Sequence, residues 1–278
     1  MSEGRLAAAL ALLMSGTALA QRPAGPPVGT SPGPVSPADR VPRPRSVLWI
    51  GAHPDDEVLV APLLATWCGD ERARCAILVM TRGENGACLL AGGCLPDLAT
   101  VRSAEAGASS QLFGAQLILL DVPNGGVAAA GAGGGLASTI AAFIRAEAPD
   151  LVLTFDPRHG TTCHPDHRAV GAIVLEAASL LPEPPAVYLL ESRLDLAHAP
   201  ASLAFAPAAA GAPRFDANAT LLSTGAPAWE ASALDMERQP SQFDAAWLAA
   251  LRAVPPSQRA VYLAPASWIL GQPVSGCP

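Results

Sequence analysis

Two short polar clusters carry the residue types that could do chemistry in this chain, in which only 15% of residues are charged. The sequence AHPDDE at 52–57 places one histidine and three acidic residues directly after an apolar run, and HPDH at 164–167 places two histidines three residues apart. Acidic side chains crowded beside imidazoles are costly unless a partner compensates their charge. Two histidines and one carboxylate are a ligand set for Zn²⁺ or Fe²⁺ that leaves positions open for water and substrate.

The segments before the clusters explain how they could meet. SVLWIGA at 46–52 and LVLTF at 151–155 are apolar enough to be buried strands, and each leads into one cluster. Pro54 favours a helical turn, which would turn His53 and Asp56 to the same side. Either cluster alone also fits an ordinary helix start, with its acids favouring the helix dipole. The two together predict a metal site.

The alternation of short apolar runs with longer amphipathic ones predicts the fold class. We expect an α/β fold with a Rossmann-like, mostly parallel sheet covered by helices on both faces. In such folds ligands bind beyond the carboxyl ends of the strands. We expect strands at 46–52, 75–81, 116–122, 151–155, 186–190 and 260–264. We expect helices at 57–68, 100–115, 136–148, 168–181, 229–238 and 243–253. The pattern becomes less regular after residue 195, and we expect loop at 196–213.

Composition limits the partners and the domain count. With 278 residues and 50% hydrophobic residues, the chain can form one sizeable core. A net charge of −7 with scattered basic residues argues against nucleic acid and against a polybasic membrane patch. We predict a signal-like segment at 1–20, a Pro-rich linker at 21–45 and one domain at 46–278.

The six cysteines fit an exported, extracytoplasmic protein. Cys68 with Cys75, and Cys88 with Cys94, lie close enough in sequence to form local disulfides, while Cys163 and Cys277 remain. Sequence alone leaves the pairing open.

AHPDDE followed by HPDHRAVG resembles the LmbE-like/PIG-L family of metal-dependent de-N-acetylases. TRGENG at 81–86, RSAE at 102–105 and FDP at 155–157 match further motifs of that family in order. The resemblance covers about residues 46–180. It implies a Rossmann-like fold and hydrolysis of the acetamide of an N-acetylglucosamine unit with one zinc per chain, Fe²⁺ being an alternative in vivo.

The resemblance also implies residue roles. The metal ligands would be His53, Asp56 and His167, with Asp55 as the general base. His164 would be the second catalytic group, either as an acid or as a stabiliser of the oxyanion. Arg102 and Glu84 would lie on the substrate side. Thr162 stands where some relatives have a tyrosine, and Ser241-Gln242 echoes the family's Ser-Gln element.

Several functions remain open at this stage. Our leading expectation is deacetylation of an exported small glycoconjugate, best guess a teicoplanin-like glycopeptide-antibiotic pseudoaglycone. The alternatives are a metal-dependent amidase or esterase on a non-sugar substrate, and a deacetylase of cell-wall or polysaccharide fragments. A nucleotide-binding oxidoreductase is disfavoured because GAGGGL at 131–136 lacks the third glycine of the dinucleotide motif. We expect no nucleic acid and no obligate protein partner, and weak association with membrane or lipid.

Overall fold

A seven-stranded sheet organises the protein, whose computed structural model describes residues 43–194, 199–201, 203–273 and 277. The strand order is β3-β2-β1-β4-β5-β9-β8. The first five strands are parallel, and β9 and β8 are antiparallel additions beside β5. The predicted mostly parallel sheet is confirmed. The strands are β1 (Ser46–Gly51), β2 (Arg74–Thr81), β3 (Gln116–Val122), β4 (Leu151–Phe155), β5 (Ala186–Leu190), β6 (Ser192–Leu194), β7 (Phe205–Pro207), β8 (Arg214–Asp216) and β9 (Ala260–Pro265), of which β6 and β7 form a separate pair.

The helices are mostly those that the apolar spacing predicts. They are α1 (Ala61–Leu64), α2 (Leu98–Leu112), α3 (Val127–Gly131), α4 (Gly135–Glu147), α5 (Pro165–Ser179), α6 (Glu230–Met236), α7 (Ala245–Ala253) and α8 (Ala266–Ile269). Two differences concern expected loops: α3 lies in the Gly-rich segment before α4, and β7 lies in the Ala/Pro-rich segment after residue 195.

The single helix expected at 57–68 was wrong. The chain forms a 3₁₀ turn (Asp56–Leu59), then α1, then a π-helical turn (Ala65–Asp70). Pro62 has no N–H to donate to the carbonyl of Val58, and the hydroxyl of Ser232 donates to that oxygen instead at 2.9 Å. This interruption separates the end of the AHPDDE segment, in the 3₁₀ turn, from helix α1.

Alternating strand side chains build a core on each face of the sheet. Val47 and Trp49 of β1 face one core, and Leu48 and Ile50 face the other. Helices α4 and α5 cover the second face, through Ile140 and other apolar side chains. Because both faces are buried, the free positions for polar chemistry are the strand ends.

Strands β1 and β4 are neighbours in the sheet although a long stretch of chain separates them. The strand order reverses between them, so their carboxyl ends form the crevice in which ligands bind in doubly wound folds. AHPDDE follows β1 and HPDH follows β4 after a loop. The topology therefore brings the two clusters together, as the sequence predicts.

The three disulfides are Cys68–Cys75, Cys88–Cys94 and Cys163–Cys277. Both expected local pairs are confirmed, and the third ties the loop after β4 to the C-terminal segment. Disulfides are typical of extracytoplasmic compartments. The described residues contain no helix with the length and apolar character needed to cross a membrane. The predicted segment 1–20 and all but the end of the predicted linker 21–45 lie outside the described residues.

Helix α5 approaches β4 so closely that only glycine fits at the contact. A Cβ at Gly171 would lie 2.2 Å from the carbonyl oxygen of Phe155. The same close packing places the ring of Phe155 flat against that of His167, at 4.2 Å between centroids. Gly171 therefore sets the depth at which this histidine sits.

We predict that Gly171→Ala destabilises the fold by about 1–3 kcal/mol or more, because backbone atoms must move apart. Gly107→Ala is the matched control, since Gly107 is also mid-helix, in α2, and nothing lies within 4 Å of its added Cβ. That variant should be more stable than the wild type by about 0.5–1 kcal/mol. Denaturant unfolding measures both changes, and equal effects of the two substitutions would contradict the packing argument.

Candidate metal and catalytic site

Three ligand atoms from the two clusters converge at the ends of β1 and β4. His167 Nε2 lies 3.0 Å from Asp56 Oδ1 and 3.2 Å from His53 Nδ1. His53 Nδ1 lies 3.9 Å from Asp56 Oδ2. All three residues are buried. The expected meeting of His53, Asp56 and His167 is therefore observed.

A tight turn aims the carboxylate of Asp56 into this group. The residue before it, Asp55, has a positive φ of 110°, and Asp56 Oδ2 accepts hydrogen bonds from the backbone N–H groups of Ala52 at 2.7 Å and His53 at 2.8 Å. Burial acts to raise the pKa of Asp56. The charge and hydrogen bond of His167 and the interactions with His53 outweigh burial, so the pKa lies below its usual value. The carboxylate is therefore ionised.

Hydrogen bonds on the far side of each imidazole set the tautomer that faces the site. His167 Nδ1 lies 2.9 Å from the carbonyl oxygen of Gly160, to which it can only donate. His53 Nε2 lies 3.3 Å from Asp166 Oδ2, which lies in the HPDH cluster. The neutral rings therefore present the lone pairs of His167 Nε2 and His53 Nδ1 to Asp56.

This donor set fits a divalent cation. Two imidazole nitrogens and an ionised carboxylate face one another at 3.0–3.9 Å, and in the neutral rings both of these nitrogens carry lone pairs. Burial lowers the pKa of His167, but the charge and hydrogen bond of Asp56, the hydrogen bond to Gly160 and the charge of Asp55 together outweigh burial and raise it. Positive charge is thus favoured at this point. His53, His164 and His167 also bring ring nitrogens within 4.8 Å of one another, so His164 borders the same position.

Asp55 lies beside the three ligand atoms and is held by Arg102. Arg102 Nη2 donates to Asp55 Oδ2 at 2.6 Å, and the guanidinium also donates to the carbonyl oxygens of Pro54 and Gly83. Burial raises the pKa of Asp55 to about 6, although the charge of Arg102 opposes the rise. A carboxyl group with this pKa can accept and return a proton near neutral pH.

His164 caps helix α5. Its Nδ1 accepts a hydrogen bond from the backbone N–H of Asp166 at 3.2 Å, so the proton of the neutral ring is on Nε2. Burial, and next the neighbouring rings of His53 and His167, lower the pKa of His164 to about 4. The ring therefore offers an N–H donor at the site rather than a positive charge.

The two predicted substrate-side residues lie in different surroundings. Arg102 lines the main cavity but is only 4% exposed, and its Nη2 is engaged with Asp55. Glu84 is exposed and accepts a hydrogen bond from the backbone N–H of Asn124 at 2.8 Å. It is not among the lining residues described for the cavity, whereas its neighbours Asn85 and Gly86 are. Their binding roles stay predictions.

The sequence analysis placed two residues near the site within motifs but gave them no role in it. Asp166 binds His53 and also accepts the backbone N–H groups of Gly125 at 2.7 Å and Val127 at 3.3 Å, which joins both motifs to the Gly-rich loop after β3. Its place between two histidines was the available signal. Glu105 accepts hydrogen bonds from the backbone and hydroxyl of Ser241. This contact places Gln242 on the cavity wall.

A second buried cluster, Asp156, His159 and Glu191, lies behind the loop that carries His164. His159 Nδ1 accepts the backbone N–H of Thr161 at 3.0 Å, so the proton of the neutral ring is on Nε2, 3.6 Å from Glu191 Oε2. The ring's one lone pair, on Nδ1, accepts that hydrogen bond and is not free for a cation. This cluster is therefore a structural network, in which Arg158 pairs with Asp156.

A family model described as "PIG-L: GlcNAc-PI de-N-acetylase" matches residues 48–178, a stretch that contains both clusters. Residues 48–178 are a PIG-L family domain. Among curated proteins, no significant match to the chain is found. The PIG-L match confirms the expected family.

Solved structures with this fold include proteins that carry out different reactions. N,N'-diacetylchitobiose deacetylase from Pyrococcus horikoshii is 18% identical, with a TM-score of 0.58 over 80% of this chain and 84% of that chain. The conserved protein TT1542 from Thermus thermophilus is 19% identical, with a TM-score of 0.57 over 80% and 94%. GalB, the 4-carboxy-2-hydroxymuconate hydratase from Pseudomonas putida, is 18% identical, with a TM-score of 0.56 over 80% and 95%. Such identities show a common fold, and the reaction must be argued from the site.

We predict that Asp166→Asn weakens Zn²⁺ binding by about 10–100-fold, because His53 loses the carboxylate that orients it. Competition with a chromophoric chelator measures the affinity. Glu176→Gln removes an exposed acidic residue from the same helix and should leave the affinity unchanged. Equal affinities of the wild type and Asp166→Asn would show that Asp166 does not orient His53 for metal binding.

A pH prediction follows from Glu191. Burial, and next the neighbouring Asp156, raises the pKa of Glu191 from 4.5 to about 9 in the folded protein. The unfolded chain releases this proton at a much lower pH, so this group makes the folded state less stable as pH rises from about 5 to 9. We expect Glu191→Gln to reduce this loss by at least about 1 kcal/mol.

Urea unfolding of the wild type and Glu191→Gln at pH 5 and pH 8 tests this expectation. Glu183→Gln, at an exposed position, is the control and should follow the wild type. An unchanged pH dependence in Glu191→Gln would show that Glu191 is ionised in the folded protein.

Proposed function

We propose that the protein is a metal-dependent hydrolase that removes the acetyl group from an N-acetylglucosamine unit. The observation that carries the proposal is the convergence of His53, Asp56 and His167 beside a carboxyl group with a raised pKa, Asp55. The PIG-L description of the matching family supports the same reaction.

His53 Nδ1, Asp56 Oδ1 and His167 Nε2 would hold the cation, for which we propose Zn²⁺ with one ion per chain and Fe²⁺ as the alternative in vivo. A bound cation would polarise the amide carbonyl and lower the pKa of a water molecule toward about 7. The chain's own residues then supply the proton transfers and the orientation of the substrate.

Asp55 would act as the general base and then as the general acid. Its carboxylate takes a proton from the attacking water and delivers it to the leaving amine nitrogen. We propose that Arg102 is a positioning residue for this carboxylate, since its Nη2 contacts Asp55 Oδ2 at 2.6 Å. This contact also keeps part of Asp55 ionised by opposing the effect of burial.

His164 would stabilise the negative charge that develops on the carbonyl oxygen. Its Nδ1 accepts a backbone hydrogen bond, so Nε2–H is the free donor of a ring that borders His53 and His167. A neutral imidazole donor at this place favours the stabiliser over the acid among the two roles left open by the sequence.

The disulfides bear on the compartment and, through it, on the substrate. Three disulfides support an extracytoplasmic enzyme, for which an exported small glycoconjugate is the natural substrate. We propose a glycopeptide-antibiotic pseudoaglycone as this substrate. Cell-wall or polysaccharide fragments are the alternative sugar substrates. From composition we still predict that the protein has no nucleic-acid partner and no obligate protein partner. We also still predict a weak association with lipid.

A second candidate function is a metal-dependent amidase on a non-sugar substrate. It is favoured by one observation, the number of apolar side chains that line the cavity next to the site. The reaction and the catalytic residues would be the same, and only the amine released would differ.

We predict that Asp55→Asn lowers kcat for acetate release by about 10²–10⁴-fold, because the amide cannot take the proton of the attacking water. Bound metal should be retained, since Asp55 is not one of the three converging ligands. Asp121→Asn, at an exposed position on β3, is the control for loss of an acidic residue.

Acetate release from a panel of N-acetylglucosamine conjugates, measured beside metal content, separates the outcomes. Bound metal with no acetate from any conjugate would favour the amidase. Full activity of Asp55→Asn would contradict the role of this residue in either reaction.

A further inference from the structure

The cavity at the candidate site has a volume of about 610 Å³ and two unlike walls. The polar wall includes Asn85, Arg102, Asn124 and Gln242, around Asp55. The other wall is an apolar chamber formed by Val58, Phe205, Trp229, Met236, Phe243 and Trp247, which belong to or pack against one hydrophobic cluster, together with smaller apolar side chains. Ligand sites typically measure about 300–1,000 Å³, so the cavity has room for a sugar and a further group.

The apolar chamber offers few hydrogen bonds to a ligand. Trp229 Nε1 donates to the carbonyl oxygen of Leu251 at 3.1 Å, and the hydroxyl of Ser232 donates to that of Val58 at 2.9 Å. These polar groups are therefore satisfied within the protein. Four of the chain's thirteen aromatic residues line the cavity here, in two edge-to-face pairs, Phe205 with Trp229 and Phe243 with Trp247. Sugar hydroxyls would lose hydrogen bonds in this chamber, whereas a hydrocarbon group would lose none.

The two walls match the two sides of an amide. The leaving amine must lie near Asp55, which returns the proton to it, and Asp55 is held by Arg102 on the polar wall. A Cβ at Gly86 would lie 3.0 Å from Arg102 Nη1 and 3.6 Å from Gln242 Oε1, so these groups are close together. A sugar attached to the amine would find its hydrogen-bond partners on this wall. The acyl group then points to the other side.

The apolar chamber begins close to the proposed metal ligands. Val58 lies in the same 3₁₀ turn as Asp56. Leu194, another lining residue, donates its backbone N–H to the carbonyl oxygen of Thr161, next to Thr162, whose hydroxyl contacts His167 Nδ1. Apolar side chains therefore line the same cavity as the three proposed ligands, close to them along the chain.

We propose that the protein hydrolyses amides whose N-acyl chain is longer than acetyl, with the hydrocarbon chain in the apolar chamber and a sugar amine on the polar wall. The inference rests on the amide hydrolysis proposed above and extends it in substrate class. Water adds its oxygen to the acyl carbon, the C–N bond breaks, and the products are a fatty carboxylate and a protonated amine. Each acyl methylene buried in the chamber should raise kcat/KM by up to about three- to fourfold.

The test compares two substrate series below their micelle-forming concentrations. One series varies the acyl chain of N-acylglucosamine from acetyl through butyryl to octanoyl, and the other varies the alkyl glycoside of N-acetylglucosamine from methyl to octyl. We expect kcat/KM to rise at least about tenfold from acetyl to octanoyl. A flat or falling acyl series overturns the proposal, and a rise confined to the glycosides would assign the chamber to the aglycone instead.

Trp247→Gln tests whether the chamber causes the preference. This partly exposed residue should tolerate the change, which should lower the ratio of octanoyl to acetyl kcat/KM several-fold. Trp268→Gln, in α8 and outside the cavity, should leave the ratio unchanged. Equal ratios in Trp247→Gln and the wild type would overturn the proposal.

A binding measurement separates this inference from the proposed function. Calorimetry on Asp55→Asn compares N-octanoylglucosamine with N-acetylglucosamine without requiring turnover. Tighter binding of the octanoyl compound supports the chamber even where no substrate is cleaved, in which case only the proposed hydrolysis fails. Equal binding of both compounds overturns the chamber proposal whatever the activity.

Discussion

The contact between Asp56, His53 and His167 is the constraint on which the rest of the site depends. An ionised carboxylate and two imidazole lone pairs, 3.0–3.9 Å apart, are stable together when a positive charge joins them. The surrounding structure fixes each of the three groups from behind: two backbone N–H groups hold Asp56, Asp166 holds His53, and the carbonyl of Gly160 holds His167. The protein thus orients its ligands before a cation arrives.

Much of the fold was predictable because its strands are buried on both faces. Such strands are continuous apolar runs, so β1 and β4 could be recognised, and a parallel sheet places their ends at one edge. The meeting of His53, Asp56 and His167 followed from that topology. The prediction failed at 57–68, where the spacing of apolar residues favoured one helix. There Pro62 cannot donate to the carbonyl of Val58, and the hydroxyl of Ser232, from a distant helix, donates to that carbonyl instead.

The side-chain contacts that set the charge and orientation of the site residues were less predictable, because they join segments far apart in sequence. Arg102 matched a family motif, but only the structure places its guanidinium on Asp55. Asp166 is within a motif, yet its partner His53 lies 113 residues away. The apolar chamber is assembled from scattered side chains of β7, α6 and α7 and the turns around them, with no periodic signal that marks them as one wall.

X-ray absorption spectroscopy of the zinc-loaded protein tests the central claim most directly, because it reports the ligand atoms without requiring a substrate. The account predicts one zinc per chain, with two imidazole nitrogens at about 2.0–2.1 Å and further oxygen ligands at about 2.0–2.2 Å. The signature of two imidazoles should be lost in His167→Ala. Zinc that is bound through sulfur, or no zinc retained after removal of excess metal, would contradict the account.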